Sequence, residues 1–442
     1  MNMTIIISVL SEYLTNTNLS ILSQICKSIL IASGKITMLE ISRTTIKSYR
    51  TLQRFYAKKN IGWDKLNVLL FKRCIYKTDD ILLFAADEMV EKKAGKHTYG
   101  LSYFFSNIFK QTVSSVAFMA LSIVSVKNRK SYPLAVEQIV KEKTLNVDEF
   151  QDKQKTNEPK PKGRPKNSKN KPKQASKDIQ YKVLDALLKS VVGLLISQLG
   201  YLPVSYLLLD GYFGNQYYVR LAKQYNLNII SKLKSTSGLY LPYIGIYSGK
   251  GRKNKYGKKI DKESISNEYL VKSEIIDGYL YQYYQMKVWN KSITDYQLNV
   301  VIIKATQLKG KRTANCILFT SDLDLSYEKI VEYYSLRFQI EFNFRDAKQY
   351  FGLADFKNYK QTQVTNAANI SFMMCNFSYI LINYFKEHFG IENMSILDLK
   401  AFYRAEKIGN ETLKLKKKAK KADQLLNVDE IFKLAKFQSV NF

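Results

Sequence analysis

The sequence predicts an α/β protein, and three observations support this fold class. Apolar runs of strand length end in acidic residues at Asp79–Glu88 and Pro203–Asp210. A segment with helical periodicity, Ile179–Leu199, precedes the second run. Segments that alternate like strands follow at Tyr269–Val288 and Tyr296–Ile303. Strands and helices that alternate along a chain favour a sheet with helices packed on it.

The charge of the chain indicates a polyanionic partner. Its 442 residues include 69 Lys and Arg against 38 Asp and Glu, a formal net charge of +31. This excess argues against an enzyme of neutral metabolites and favours nucleic acid, with an anionic membrane surface as the second candidate. The four cysteines show no metal-ligand spacing, which favours a reducing cytoplasmic compartment and no zinc site. Neither a signal peptide nor a membrane span is expected.

The first 77 residues predict a helical domain built from short amphipathic segments. Within it, Thr37–Arg54 has the length of a helix-turn-helix, and Ser48–Arg54 is its possible recognition helix. Arg50 and Arg54 would then contact DNA. Any small helical domain gives a similar pattern, so a purely structural role stays open.

Asp87 closes the first apolar run, and we expect it at the C-terminal edge of a buried strand. Two further strands are expected at Val113–Val126 and Tyr132–Val140. A strand-end carboxylate without a catalytic role is the alternative for Asp87, and Glu88 beside it is a second candidate acid.

A polar linker at 143–177 contains a basic run without acids. Gly163-Arg164-Pro165-Lys166 resembles the core of an AT-hook, which lays Arg in a narrow A·T minor groove. Arg164 and Lys166 are therefore candidate DNA contacts. A solvated flexible loop is the alternative, and its charge would still favour DNA through counterion release.

Asp210 ends an apolar strand and precedes the turn that begins at Gly211. Open α/β sheets bind ligands at this edge, so Asp210 is a candidate site residue. The next strand is expected at Leu227–Leu233, and residues 235–322 then predict a β-rich insertion that includes Trp289.

A helix is predicted from Ser326 to Tyr350, with Gly352 as its stop signal. At about 100° per residue, five side chains share one narrow face of this helix: Tyr334, Arg337, Glu341, Arg345 and Lys348. This face combines one carboxylate with three cations and a phenol, and such a face has two interpretations. It is either a solvated face with i,i+4 ion pairs or a metal-binding carboxylate surrounded by phosphate binders.

The spacing of Tyr334, Arg337, Glu341 and Lys348 resembles the Tyr-Arg-Glu-Lys signature of bacterial insertion-sequence transposases with a DDE active site. The group concerned is insertion sequence group four and its relatives. The Asp-Gly-Tyr-Phe run that begins at Asp210 resembles the second catalytic Asp motif of that group. Its first catalytic Asp is usually followed by Thr, whereas Glu88 follows Asp87 here, so a contribution of Glu88 stays open.

The resemblance implies an RNase H-like catalytic core interrupted by a β-rich insertion domain, with an N-terminal helical domain. The expected domains are a DNA-binding helical domain at 1–77, the first part of the core at 78–234 with the linker at 143–177, the insertion at 235–322, the last part of the core at 323–390 and a basic helical C-terminal segment at 391–442.

The resemblance also implies a cut-and-paste DNA transposase with catalytic residues Asp87, Asp210 and Glu341. These carboxylates would bind two Mg²⁺ ions, with Mn²⁺ as a substitute, because Mg²⁺ prefers hard oxygen ligands. Tyr334, Arg337, Arg345 and Lys348 would contact DNA phosphates, and Trp289 would stack on an extruded base. The expected partners are transposon ends and target DNA, bound by a homodimer. The alternatives are a non-catalytic DNA-binding descendant and another RNase H-like nuclease.

Overall fold

A mixed sheet of twelve strands organises the computed structural model, which describes residues 3–106, 110–141, 179–247, 249, 251, 254–310 and 312–419. The helices are α1 (Thr4–Ser11), α2 (Asn16–Ile31), α3 (Met38–Thr44), α4 (Tyr49–Tyr56), α5 (Trp63–Leu70), α6 (Ile179–Leu199), α7 (Gln216–Gln224), α8 (Tyr327–Leu336), α9 (Gln339–Tyr350), α10 (Gln361–Phe389) and α11 (Ile396–Ala419). The strands are β1 (Leu82–Lys92), β2 (Ser102–Ser106), β3 (Gln111–Ser125), β4 (Lys130–Ile139), β5 (Val204–Leu209), β6 (Asn228–Leu233), β7 (Leu239–Pro242), β8 (Tyr256–Lys259), β9 (Leu270–Ile276), β10 (Tyr279–Asn290), β11 (Ile293–Gln307) and β12 (Thr313–Thr320).

The strand order is β2-β3-β1-β5-β6-β12-β11-β10-β7-β8, with β4 also paired to β3 and β9 also paired to β10. The β1–β5 and β5–β6 pairs are parallel. The remaining pairs between described strands are antiparallel. The predicted α/β class is therefore confirmed as a mixed α/β fold with one large mixed sheet.

The predicted segment Tyr269–Val288 divides into β9 and β10 at a tight hairpin turn. Asp277 and Gly278 both have positive φ, at 49° and 78°. A two-residue turn of this kind matches the twist of the flanking strands, which is why Asp-Gly favours it.

The first 77 residues contain the helices α1 to α5, as their short amphipathic segments predict. Thr37 and Ser48 cap α3 and α4, because each side chain accepts a hydrogen bond from the backbone N–H three residues later. Arg50 and Arg54 are exposed on α4. This geometry leaves both arginines accessible to a partner.

The predicted single helix from Ser326 to Tyr350 is wrong, because the chain breaks between α8 and α9 at Arg337 and Phe338. Around this joint, the N–H groups of Arg337, Phe338, Ile340 and Glu341 bond to carbonyls three residues back rather than four. Such tightened turns rotate the chain by more than the 100° of an α-helix. Residues of α8 and α9 that would share one face of a continuous helix are therefore rotated away from each other.

Gly352 ends α9 as the sequence predicts. Its φ is +85°, and a Cβ there would lie 2.8 Å from the Ile36 side chain. Only glycine satisfies both conditions without strain.

Lys93 is a buried lysine that ties β1 to the loop after α9. Its side chain is 8% exposed, and its Nζ donates to the carbonyls of Ala354 and Phe356 at 3.0 and 3.2 Å. Burial lowers the pKa of Lys93 to about 8. The lysine therefore serves as an internal cap for backbone carbonyls.

We expect Lys93 to contribute a rise in the free energy of unfolding between about pH 8 and about pH 10, because in that window Lys93 keeps its proton in the unfolded chain and loses it in the folded protein. Lys93→Met should flatten the rise by at most about 1.4 kcal/mol per pH unit, as measured by urea unfolding across the window. Lys92→Met, at the neighbouring exposed position, is the control. Equal slopes in wild type and Lys93→Met would contradict this assignment.

Within the described ranges, no helix combines the length and the apolarity that a membrane crossing needs.

Candidate active site

The register of two parallel strands brings Asp87 and Asp210 side by side. In the β1–β5 pair, Ala86 lies opposite Leu209, so the next residue on each strand is one of the two acids. Asp87 does not end its strand, as the sequence had suggested, because β1 continues to Lys92 in pairing with β3. It is instead the first residue of β1 beyond the end of β5. The site therefore lies where β5 ends, beside the middle of the longer strand β1.

Glu341 approaches the same point from a helix. It lies in the first turn of α9, which packs against β1, β3, β4 and α10. The three predicted acids therefore come from three elements that the sheet and its helical layer hold in place.

The guanidinium of Arg337 lies between these three carboxylates. Its Nη1 is 2.8 Å from Asp87 Oδ2, and its Nη2 is 3.2 Å from Glu341 Oε1 and 4.0 Å from Asp210 Oδ1. The Arg337 side chain is 13% exposed, whereas those of Asp210 and Glu341 are 47% and 40% exposed. The cation is thus the most enclosed member of the cluster, and Asp210 and Glu341 are its solvent-exposed members.

Asp87 is the enclosed carboxylate. Burial raises its pKa to about 6, and the Arg337 guanidinium opposes this rise. Its Oδ1 accepts from the Glu88 N–H at 2.8 Å, and its Oδ2 accepts from Arg337. A carboxyl group in such surroundings is stabilised as an anion chiefly by its cationic neighbour.

Glu88 is held differently from Asp87. Successive residues of a strand point to opposite faces, and Glu88 Oε2 accepts from Gln180 of α6 at 3.2 Å. Arg337 contacts Asp87 rather than Glu88. Sequence reasoning did not single out Gln180, because its partner lies 92 residues away along the chain.

A pocket of about 500 Å³ opens over the cluster. Its walls include the three acids and Arg337, together with Glu88, Phe344, Arg345, Lys348 and Gln349. Lys348 binds to β1: its Nζ donates a hydrogen bond to the Val90 carbonyl at 3.0 Å and forms an ion pair with Glu91 at 3.1 Å. Arg345 is half exposed and pairs with Asp346. Of the predicted phosphate binders on α9, Arg345 is the one at the solvent boundary.

Tyr334 lies beside the cluster, with its ring 6.0 Å from the Arg337 guanidinium carbon. Burial raises the pKa of Tyr334 to about 12. The phenol therefore stays neutral and able to donate a hydrogen bond at physiological pH.

The remaining predicted residues lie elsewhere. Trp289 is on β10, partly buried, and Lys255 Nζ sits 4.8 Å from its ring centre. Arg164 and Lys166 fall outside the described residues.

Tyr212, which we did not single out, is 62% exposed two residues after Asp210. In the sequence, an aromatic residue just after an acid at the end of a strand could have marked Tyr212 as a candidate site residue.

The chemistry of the cluster suits a divalent cation. Three carboxylates supply hard oxygen ligands, and an open pocket leaves room for water and phosphate oxygens. As the side chains stand, no group of three or more His, Cys, Asp and Glu residues in the described part of the chain has the closeness that a metal ion requires. The guanidinium takes the central position. The three carboxylates thus have the ligand chemistry for a divalent cation, but in this arrangement they surround the Arg337 guanidinium.

Two family models match the chain. The model described as "DDE superfamily endonuclease" matches residues 9–277, which is more than half of the sequence. The chain belongs to the DDE endonuclease superfamily. The model described as "Transposase DDE domain" matches residues 182–377, which include Asp210 and Glu341. This DDE protein is accordingly a DNA transposase, as the sequence predicts.

A search of solved structures matches the cryo-EM structure of a piggyBac transposase synaptic complex with hairpin DNA, and the alignment covers 97% of this chain and 78% of that one. The two sequences are 13% identical, and the TM-score is 0.41. None of the curated proteins matches the chain significantly. The family assignment therefore rests on the two family models.

Proposed function

We propose that this chain cuts the ends of its transposon and joins them to target DNA through a catalytic site formed by Asp87, Asp210 and Glu341. The observation that carries the proposal is the convergence of the three carboxylates on one guanidinium at the end of β5. The matching family models set this cluster in a DDE protein.

We further propose membership of the Tyr-Arg-Glu-Lys signature group and an RNase H-like core. The spacing from Tyr334 to Lys348 supports the group. The order β4-β3-β1-β5-β6, with its two parallel pairs, supports the core. In this view the strands β7 to β12 belong to the inserted segment, residues 235–322.

The three carboxylates would hold two Mg²⁺ ions, with Mn²⁺ able to replace them. When bound, two such ions activate the attacking oxygen and stabilise the leaving oxygen of a phosphodiester. The protein's own contribution is positional. The β1–β5 register fixes the separation of Asp87 and Asp210, and the α9 packing carries Glu341 to them. Arg345, at the mouth of the pocket, would neutralise a DNA phosphate beside the scissile bond.

A cleavage assay on the junction between a terminal repeat of the element and its flanking DNA tests this function. We expect Mg²⁺-dependent or Mn²⁺-dependent nicking that leaves a 3′-OH on the element end, followed by joining of that end to a target plasmid by a homodimer. Binding without cleavage would indicate a non-catalytic descendant. Cleavage without preference for the element end would indicate another nuclease.

The basic run between Lys160 and Lys173 gives a separate prediction about DNA affinity. We expect that neutralising its seven cations weakens binding and reduces the slope of log K against log salt by about 0.9 for each DNA phosphate that the variant no longer neutralises. The substituted residues are Lys160, Lys162, Arg164, Lys166, Lys169, Lys171 and Lys173. Titrations at several salt concentrations measure the slope. An unchanged slope would make the segment a tether.

Trp289 remains our proposed base-stacking residue. The Lys255 ammonium on its ring would have to move aside for a base. Stacking contributes about 1–3 kcal/mol per base, so Trp289→Ala should alter the fluorescence of a base analogue at the transposon end. Identical fluorescence in wild type and Trp289→Ala would exclude this role. The same measurement on Tyr212→Ala compares the exposed aromatic residue next to Asp210 with Trp289.

A further inference from the structure

We infer that Arg337 is a built-in substitute for the metal. It holds the three carboxylates together in the metal-free protein and must leave them before a divalent cation enters. The inference rests on the proposed catalytic site and adds a role that sequence reasoning did not give Arg337. The sequence suggested a phosphate contact, whereas the structure turns the guanidinium inward to the acids.

The enclosure of Arg337 is the first argument. A surface arginine gains little from an ion pair, but this side chain is 13% exposed and contacts carboxylates from β1, the end of β5 and α9. Without a cation, these acids would repel one another at close range. The planar fork of arginine can bond several carboxylates at once, which a single ammonium cannot do in the same way.

The hydrogen bonding of Arg337 is the second argument. Its Nε is buried, and no described residue accepts a hydrogen bond from it. A purely structural arginine at this degree of burial would be expected to have all its donors satisfied. The unpaired Nε therefore lowers the cost of turning the guanidinium away from the acids, because that donor has no hydrogen bond to lose.

The position of Arg337 in the chain is the third argument. It lies at the joint between α8 and α9, where the hydrogen bonds run to the third residue back. Short tightened turns within helices often mark hinges. A small change at this joint would redirect the guanidinium without unfolding either helix.

Titration of Mn²⁺ into the full-length, metal-free protein without DNA tests the inference by calorimetry. Arg337→Gln removes the guanidinium and its charge. Arg337→Lys keeps the charge but loses the fork. Arg345→Gln removes a charge from the same pocket wall without touching the three acids, so it reports the purely electrostatic effect. We expect both Arg337 variants to bind Mn²⁺ about tenfold tighter or more, and Arg345→Gln to resemble wild type.

Thermal melting gives a second measurement. In EDTA, Arg337→Gln should melt at a lower temperature than wild type, because the carboxylates lose their counter-charge. Saturating Mn²⁺ should restore most of that loss. If Arg337→Gln fails to fold without metal, Arg337→Lys still permits the calorimetric comparison.

Three outcomes would overturn the inference. Unchanged or weaker Mn²⁺ affinity in both Arg337 variants would show that the guanidinium does not compete with the metal. Tighter binding in Arg337→Gln and Arg345→Gln but not in Arg337→Lys would reduce the effect to net charge. Absence of binding in every protein, or binding that survives Asp210→Asn, would instead remove the proposed metal site itself.

Discussion

Asp87→Asn, Asp210→Asn and Glu341→Gln are each expected to lower metal-dependent cleavage of transposon ends by about a thousandfold or more while sparing end binding. Each substitution keeps the size of the side chain and removes one anionic ligand. Because the three carboxylates converge on one centre, the loss of any one affects the common metal site rather than a separate step. Single-turnover cleavage and a binding titration on the same DNA measure the two quantities.

Glu88→Gln is the matched control, since it changes an acid of the same pocket whose carboxylate accepts a hydrogen bond from Gln180. We expect a mild effect. An inactive Glu88→Gln beside an active Asp87→Asn would transfer the role of first acid to Glu88. Melting temperatures of all four variants separate catalytic from structural losses.

Asn366→Leu is expected to destabilise the protein by several kcal/mol, since each buried polar group left without a partner costs about 1–3 kcal/mol. The Asn366 amide is 3% exposed. Its nitrogen donates to the carbonyls of Tyr56 and Lys58 at 2.7 and 2.9 Å, and its oxygen accepts from the Trp63 indole at 2.7 Å. One side chain of α10 thus satisfies three groups of the N-terminal helical region.

Asn369→Leu, one turn further along α10, is the control for that prediction. Asn369 is also buried, at 4% exposure, but it makes one bond to a neighbouring element, to the Val136 carbonyl at 3.3 Å. Urea unfolding should therefore show a smaller loss for Asn369→Leu. A loss for Asn366→Leu no larger than that of its control would mean that the amide does not hold the N-terminal helices on the core.

Sequence reasoning located the acids because each is marked by local signals. Asp210 follows an apolar strand and precedes a glycine turn, and Glu341 belongs to a spaced motif. The sequence could not give the orientation of Arg337, because this side chain bonds to Asp87, 250 residues away in the chain, and to Glu341, 4 residues away. The break between α8 and α9 also escaped it, because no Gly or Pro marks the joint.

Lys348 shows the same limit. On a continuous helix it shares a face with Glu341, and its charge suggests a phosphate contact. In the fold its Nζ reaches the Val90 carbonyl of β1, 258 residues away in sequence. The strand β2 was missed as well, because a run of five residues is too short a pattern to distinguish from a loop.

The continuity of the sheet limits how this protein can be shortened. Backbone hydrogen bonds run without interruption from β5 through β6 to β12 and on to β10, so the inserted segment is not an appendage on a flexible stalk. Deleting residues 235–322 would remove β12 from β6. A strand that is paired on both sides, with Ile229 and Ile230 at 0% exposure, would then become an open edge. Unpaired edges of this kind recruit other chains. A trimmed version would aggregate unless it kept β12 or another strand in its place.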